Sequence, residues 1–355
     1  MLKRRKQMVL LAAGALLFAA AVGIIWLGNK RSRRERSEIL KIGVLIYKED
    51  DTFVSGIVEE MKRQFKDYER ENGSRIRLDF SYAEENQSIQ NEQIDKYLSL
   101  DYDVLCVNLV DRTEAAIVIE KAKSADVPVV FFNREPVAED LQQWDRLYYV
   151  GSDAKESGTL EGLLVVDYYK KYPEQLDRNQ DGVIQYVLLE GESRHQDSLI
   201  RTEYSVQTLV DAGLILERLD GGIANWVRSQ GEALTTQWLK EYGNEIELII
   251  SNNDDMALGA IDAVENWHIS FSNIVGIDGT PQGVAAVESG KMIGTIVAGQ
   301  EDYAKVLLDL AERVAREETL DGLDIREDKS VRIPMYSINC DGEIRRLEES
   351  GKEEN

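Results

Sequence analysis

Between Asp177 and Arg201 the chain reads DRNQDGVIQYVLLEGESRHQDSLIR, and two kinds of chemistry are spaced along it. The first is chelation of a hard cation. Asp177, Asn179, Asp181 and Gln185 place side-chain oxygens at positions 1, 3, 5 and 9 of a calcium-loop pattern. Gly182 permits the sharp turn at position 6, and the Val183 carbonyl is available at position 7. Position 12 is Leu188, where that pattern has a bidentate Glu. Two readings stay open: an Asx/Gly turn that holds no ion, or a site completed by a distant carboxylate, with Glu247 as the candidate. The second chemistry is hydrogen bonding. His195, Asp197 and Arg201 form a polar cluster suited to a small hydroxyl-rich ligand such as a hexose, which points to capture and not to reaction.

Such side chains need a scaffold, and the chain supplies strand–helix alternation from Lys41 onward. Apolar runs at Ile42–Tyr47, Val104–Val107, Val129–Phe132, Ile184–Leu189, Glu247–Ile250 and Ile274–Ile277 read as buried strands. Helical spacing separates them, as in Val54, Ile57, Val58, Met61, Phe65 and Tyr68. Two series of about five strands predict an α/β protein with two doubly wound parallel-sheet lobes. In open α/β sheets ligands bind beyond the carboxyl ends of strands. Asp51, Asn133, the 191–201 segment, Asn253 and Asp278 each follow a strand directly and so share a rim. Two aromatic residues could cover the C–H faces of a sugar: Phe53, and Trp226 at the predicted start of a helix. The alternatives are that Phe53 staples its helix and that Trp226 is core.

Composition narrows the partners. Of 355 residues, 43% are hydrophobic and 30% charged, the balance of a globular chain with room for two cores. Residues 1–36 carry nine of the 42 Lys and Arg and one of the 65 Asp and Glu, leaving 33 basic residues against 64 acidic ones. A body that acidic repels phosphate backbones, so nucleic acid is excluded as a partner. Cys106 lies in an apolar strand and Cys340 in a polar C-terminal segment; with no C-x-x-C and two histidines, a zinc or redox site is not expected. Met8–Leu27 is almost unbroken apolar sequence, long enough at ~1.5 Å per residue for a hydrocarbon core of about 30 Å. It is read as an uncleaved transmembrane anchor with residues 28–37 as tether, the alternative being a secretory signal cleaved near Ala19-Ala20-Ala21. Basic residues flank both ends, so charge does not set the orientation.

The segments IGVLIYKEDDTF (42–53), PVVFFNREP (128–136), YYVGSDAKESG (148–158), DRNQDGVIQYVLLEGESRHQDSLIRTEY (177–204), ISNNDDMALGA (250–260) and VGIDGTP (275–281) together resemble the periplasmic galactose/glucose-binding protein family. The resemblance runs in order through nearly all of residues 40–340. It implies a type I periplasmic binding fold with a three-crossing hinge near residues 151, 297 and 333. The lobes would then be 38–151 plus 298–333, and 152–297 plus 334–345 with the calcium site, followed by an acidic tail at 346–355. It further implies sugar contacts from Asp51 and Asn133 in the first lobe and His195, Asp197, Arg201, Asn253 and Asp278 in the second, with Phe53 and Trp226 sandwiching the ring. The implied structural Ca2+ site is Asp177, Asn179, Asp181, the Val183 carbonyl, Gln185 and Glu247. One position departs from the family: Ala298 stands where it has a sugar-binding Asn, so one contact is lost or Gln300 replaces it.

The expected function is extracytoplasmic capture of a galactose- or glucose-like monosaccharide by a monomer that hands it to an ABC permease. The alternative is a membrane-tethered receptor signalling to a sensor kinase or chemoreceptor. An enzyme is not expected, since no leaving-group site accompanies the paired carboxylates. A cytoplasmic repressor is disfavoured because residues 1–40 hold an apolar span instead of a DNA-binding helix pair.

Overall fold

The computed structural model describes residues 39–72 and 76–347. The apolar span at 8–27 and the acidic tail, 346–355, lie outside those residues for all but its first two positions. Among the described residues no helix is long and apolar enough to cross a membrane. In chain order the first half comprises β1 (Leu40–Ile46), α1 (Thr52–Asn72), β2 (Ile76–Tyr82), α2 (Gln87–Ser99), β3 (Val104–Val107), α3 (Ala115–Ala125), β4 (Val129–Phe132), α4 (Ala138–Leu141) and β5 (Leu147–Gly151). There follow α5 (Ala154–Lys171), α6 (Pro173–Leu176), β6 (Ile184–Glu190), α7 (Gln196–Asp211), β7 (Leu216–Ile223), α8 (Arg228–Glu241), β8 (Leu248–Ser251), α9 (Asp254–Asn266), β9 (Ile274–Asp278), α10 (Pro281–Glu288) and β10 (Gly294–Ala298). The chain ends with α11 (Gln300–Arg316), β11 (Ser330–Arg332), β12 (Met335–Asn339) and β13 (Ile344–Arg345).

Two sheets result. The first, in the order β11-β5-β4-β3-β1-β2, is parallel throughout. The second runs β13-β12-β10-β9-β8-β6-β7. It is mixed, because β12 pairs antiparallel with both β10 and β13. That corrects the expectation of two parallel sheets: the last segment arrives from the other lobe and returns along the edge, so no crossover helix is needed to place it. VLCV and VVFF are buried at every position, as a central strand covered on both faces must be. The covering helices show the matching stripe: Tyr303, Ala304, Leu307, Leu310, Ala311 and Val314 form the buried face of α11, which packs on α1 and β3.

Three short segments join the sheets: Ser152–Asp153 between β5 and α5, Gly299 between β10 and α11, and Ile333–Pro334 between β11 and β12. They are stitched together. The Ile333 N–H donates to the Gly151 carbonyl at 3.0 Å, and Arg332 makes a two-pronged pair with Glu135 while reaching the Ser152 carbonyl at 3.4 Å. Cys106 is wholly buried and Cys340 partly so; neither is in a disulfide.

Candidate ligand-binding cleft

The rim residues stand at the carboxyl ends of strands, and several double as helix caps. Asp51 follows β1. Its Oδ1 accepts from the Val54 N–H at 2.8 Å, capping α1, and its Oδ2 accepts from the Tyr47 hydroxyl. His195 caps α7 through Nδ1, which accepts the Asp197 N–H at 3.2 Å. Asn253 caps α9 by accepting the Met256 N–H at 3.0 Å. Helix N-termini therefore point into the cleft from both lobes, and such ends favour ligand oxygen atoms.

Three cleft residues have strained backbone. Asn133, Trp226 and Asp278 have φ of +60°, +65° and +120°, a region that side chains other than glycine rarely occupy. Surrounding contacts hold them in place. The Asn133 N–H donates to the Tyr303 hydroxyl at 2.8 Å, and its carbonyl accepts from the Tyr149 hydroxyl at 2.9 Å. Asn108 donates to the Asn133 side-chain oxygen at 3.0 Å. The Trp226 ring lies flush on Gly191, where an added Cβ would come within 2.1 Å of it. It also meets His195 edge-on at 5.3 Å, with the Arg201 guanidinium 5.9 Å from its centre. Helix α8 begins at Arg228, so Trp226 belongs to the preceding loop and not to a helix start; the left-handed backbone at Asn225 and Trp226 prevents the helix from reaching it.

Asp197 and Arg201 are one turn apart on α7 and share a face. Arg201 sends Nη1 to the Asn252 carbonyl at 2.8 Å and lies 3.5 Å from Asp278 and 3.8 Å from Asp197. All three are nearly sealed from solvent. Burial raises the carboxyl pKa of Asp197 and lifts that of Asp278 well above the usual range, with Arg201 opposing both shifts. Burial first, then the nearby guanidiniums of Arg134, Arg201 and Arg112, holds His195 well below the ordinary imidazole value. The ring is thus neutral at pH 7, with its proton assigned to Nε2 because Nδ1 accepts.

The two lobes meet across this cluster. Asp51 of the first lobe is close enough to raise the Asp278 pKa, and Thr52 is close enough to lower that of Asp255 on α9. Phe53 and Trp226 do not touch: Phe53 is edge-on to Tyr303 at 6.0 Å, inside its own lobe. The outer cleft is a cavity of about 620 Å3 bordered by Tyr47, Arg112 and Arg134 on one side and Glu192, His195 and Asp197 on the other. Gln300 does not stand in for the missing amide at Ala298. Its side chain packs on Gly56 and donates to the Phe53 carbonyl at 3.3 Å.

Several contributors escaped the sequence reading. Arg134 lies over the Tyr47 ring at 3.7 Å and pairs with Glu192 of the opposite lobe at 2.7 Å. Asn252, wholly buried, accepts from Gly191 and Ser198 and so fixes the loop that carries His195. Asp254 accepts from Thr280 and Thr295, with its carboxyl pushed up to about 7 by burial. The runs FFNREP and ISNNDD held the signal, since Arg134, Asn252 and Asp254 are immediate neighbours of residues already placed on the rim.

The cation loop sits between α6 and β6, at the end of β6 opposite the cleft segment, and is joined to the start of β8 by Glu247. Gly182 and Gln180 turn it with φ of +80° and +60°. The Asp177 Oδ2 accepts the Gly182 N–H at 3.0 Å, whereas its buried Oδ1 has no partner. Glu247, 1% exposed, reaches in to accept the N–H groups of Arg178 and Asn179 at 2.6 and 3.0 Å. An orphaned carboxylate oxygen beside a second buried carboxylate, with Asn179, Asp181 and Gln185 around them, fits a hard cation with oxygen ligands. Among the described residues no three His, Cys, Asp or Glu side chains form a metal cluster, so Asp177, Asp181 and Glu247 are not gathered around one point.

Comparisons with known proteins agree with this architecture. Residues 42–319 match the periplasmic binding protein domain family, and the chain belongs to it. The D-galactose/methyl-galactoside binding periplasmic protein MglB of Haemophilus influenzae is 37% identical over 85% of this chain and 90% of its own. A xylitol-binding protein of Mycolicibacterium smegmatis is 27% identical over 79% of this chain and 74% of its own. An ABC transporter solute binding protein of Bacillus halodurans C-125, solved with bound myo-inositol, superposes with a TM-score of 0.69 at 27% identity, covering 85% of this chain and 95% of that one. The chain is thus a periplasmic binding protein, similar to substrate-binding proteins of ABC transporters and not to enzymes.

Proposed function

We propose that the chain captures one galactose- or glucose-like hexose outside the cytoplasm and delivers it to the permease of an ABC importer. The observation that carries this reading is the buried Arg201 between Asp197 and Asp278, opposite Asp51 of the other lobe. A guanidinium flanked by carboxyl groups offers donors and acceptors in pairs, which vicinal hydroxyls match. Neutral His195 adds an Nε2–H donor, Asn133 and Asn253 add amides, and Phe53 and Trp226 supply apolar rings from opposite lobes. Water leaves as the lobes close about the three joining segments, which strengthens each polar contact. In the same reading Asp177, Asn179, Asp181, the Val183 carbonyl, Gln185 and Glu247 hold a structural Ca2+, which would fix the second lobe without entering the cleft. The protein acts as a monomer, held to the membrane through residues 8–27.

Calorimetry with D-galactose, D-glucose, methyl-galactoside, xylitol and myo-inositol tests the assignment. A hexose or its methyl glycoside should bind tightest. A preference for xylitol or myo-inositol would assign the cleft to open-chain or cyclic polyols instead.

A further inference from the structure

Helices α5 and α7 of the second lobe approach each other unusually closely. A Cβ at Gly158 would lie 2.8 Å from the Arg201 carbonyl, and one at Gly162 would lie 2.6 Å from the Ser205 carbonyl. Between these glycines stands Glu161, 1% exposed, inside the seam. Neither of its carboxyl oxygens has a hydrogen-bond partner. Ser205 stands beside it, close enough to lower the Glu161 pKa, while its hydroxyl donates to the Thr202 carbonyl at 3.3 Å. On the other side of the seam the Arg201 Nε is likewise buried and without a partner. A buried acidic side chain with no hydrogen-bond partner thus lies on the face of α5 packed against α7, the helix carrying the guanidinium that the hexose reading places at the centre of the site, and is close enough for that charge to act on it.

The charges around it are few. Arg201 faces Glu161 from α7, and Asp254 faces it from the start of α9. Strand β9 contributes Asp278, on the far side of Arg201, and β10 contributes Thr295, whose hydroxyl is taken by Asp254. Arg201 is the cation that acts on both Asp278 and Glu161, while Asp197 also feels Arg332 and Arg112. One guanidinium shared in this way cannot fully pair every carboxylate around it, and a buried charge without a partner is costly.

We propose that Glu161 is a positioning residue for Arg201, and that its protonation state sets sugar affinity without its touching the sugar. Protonated, Glu161 leaves the guanidinium aimed at Asp197, Asp278 and the ligand. Ionised, it competes for the same cation and draws it toward α5. Burial holds the carboxyl well above the usual glutamate range, with the Arg201 charge opposing and the Asp254 charge reinforcing the shift. Affinity is therefore full at mildly acidic pH and falls as pH rises past that elevated value, by up to about tenfold per pH unit.

The proposal rests on the hexose reading of the cleft, so two measurements on the full chain separate them. Dissociation constants for D-galactose and D-glucose are taken from pH 5 to 9 for the wild type and for E161Q, which keeps the volume and removes the charge. Wild-type affinity should weaken toward the alkaline end, by up to about tenfold per pH unit once Glu161 ionises, while E161Q should stay tight and flat. A flat wild-type profile, or the same slope in E161Q, would overturn the proposal, the latter assigning the titration to Asp254, Asp197 or Asp278. Infrared difference spectra of ligand-free wild type against E161Q are recorded over the same range. A protonated-carboxyl band present at neutral pH, lost in E161Q and fading in the wild type as pH rises, supports the proposal even if neither hexose binds. Absence of that band overturns it.

Discussion

The Arg134–Glu192 pair is the contact on which closure of the lobes can be tested most directly. It joins the end of β4 to the loop after β6 at 2.7 Å, with side-chain exposures of 9% and 23%. Arg134 also covers the Tyr47 ring, and Tyr47 in turn donates to Asp51. In an open form both charges would be solvated apart, so the pair contributes to closure and hence to affinity. Truncating one partner of a buried charge pair costs about 2–5 kcal/mol or more, and the partial exposure of Glu192 places this one at the lower end, about 2 kcal/mol. Arg134→Met keeps an apolar stem on Tyr47 and deletes the charge. Its Kd for the preferred hexose should rise roughly thirtyfold, from about 1.4 kcal/mol per factor of ten. Calorimetry gives the Kd, and small-angle scattering with saturating sugar reports whether the lobes still close. A double-mutant cycle with Glu192→Gln isolates the pair. A Kd within threefold of wild type, or a coupling energy near zero, refutes the argument that this contact latches the lobes.

Other changes separate the remaining roles. Gly191→Ala puts a Cβ into the Trp226 ring and should weaken sugar binding as much as Trp226→Ala does, with little loss of thermal stability because both sit in the cleft; a large drop in melting temperature instead would make Trp226 a core residue. Calcium at a hundred times its Kd should stabilise the wild type by about 2.7 kcal/mol and Asp177→Ala hardly at all, while sugar affinity stays similar in both; an equal calcium response of the two proteins removes Asp177 from the ligand set. Ala298→Asn restores an amide at the end of β10 and should tighten hexose binding by about 1 kcal/mol, read by calorimetry, whereas weaker binding would show that Ala298 clears space for a bulkier sugar substituent.

Much of the scaffold was legible because its strands are simple to read. VLCV and VVFF are short unbroken apolar runs, and the chain has no competing way to bury them. The helical spacing after Asp51 was equally plain. Strand β12 was not, because MYSIN alternates weakly and its antiparallel direction is set by where the chain re-enters the second lobe. The rim followed from the rule that ligands gather past strand ends, which located Asp51, Asn133, Asn253 and Asp278 individually. Relations among them were invisible. Arg134 and Glu192 are 58 residues apart and meet only across a cleft between lobes. Trp226 was misplaced onto a helix because residue type does not reveal a left-handed backbone. Glu161 looks like any surface glutamate on a charged helix; the flanking Gly158 and Gly162 were its only signal, and their meaning depends on α7 lying against them.

The way the chain threads between the sheets has a consequence for how the molecule is made. The first sheet needs β11 at its edge and α11 over its face, both from beyond residue 299. A ribosome or an export channel delivering the chain from its N-terminus therefore presents β1 to β5 long before their last partners exist. That sheet must wait, half covered, while the whole of α5 to β10 emerges. Holding the early half in a soluble state until its closing pieces arrive is a demand that this topology places on the cell, and a gene cut between β5 and α5 would yield a first fragment without β11 and α11 and a second that carries every strand of its own sheet plus those two stray pieces.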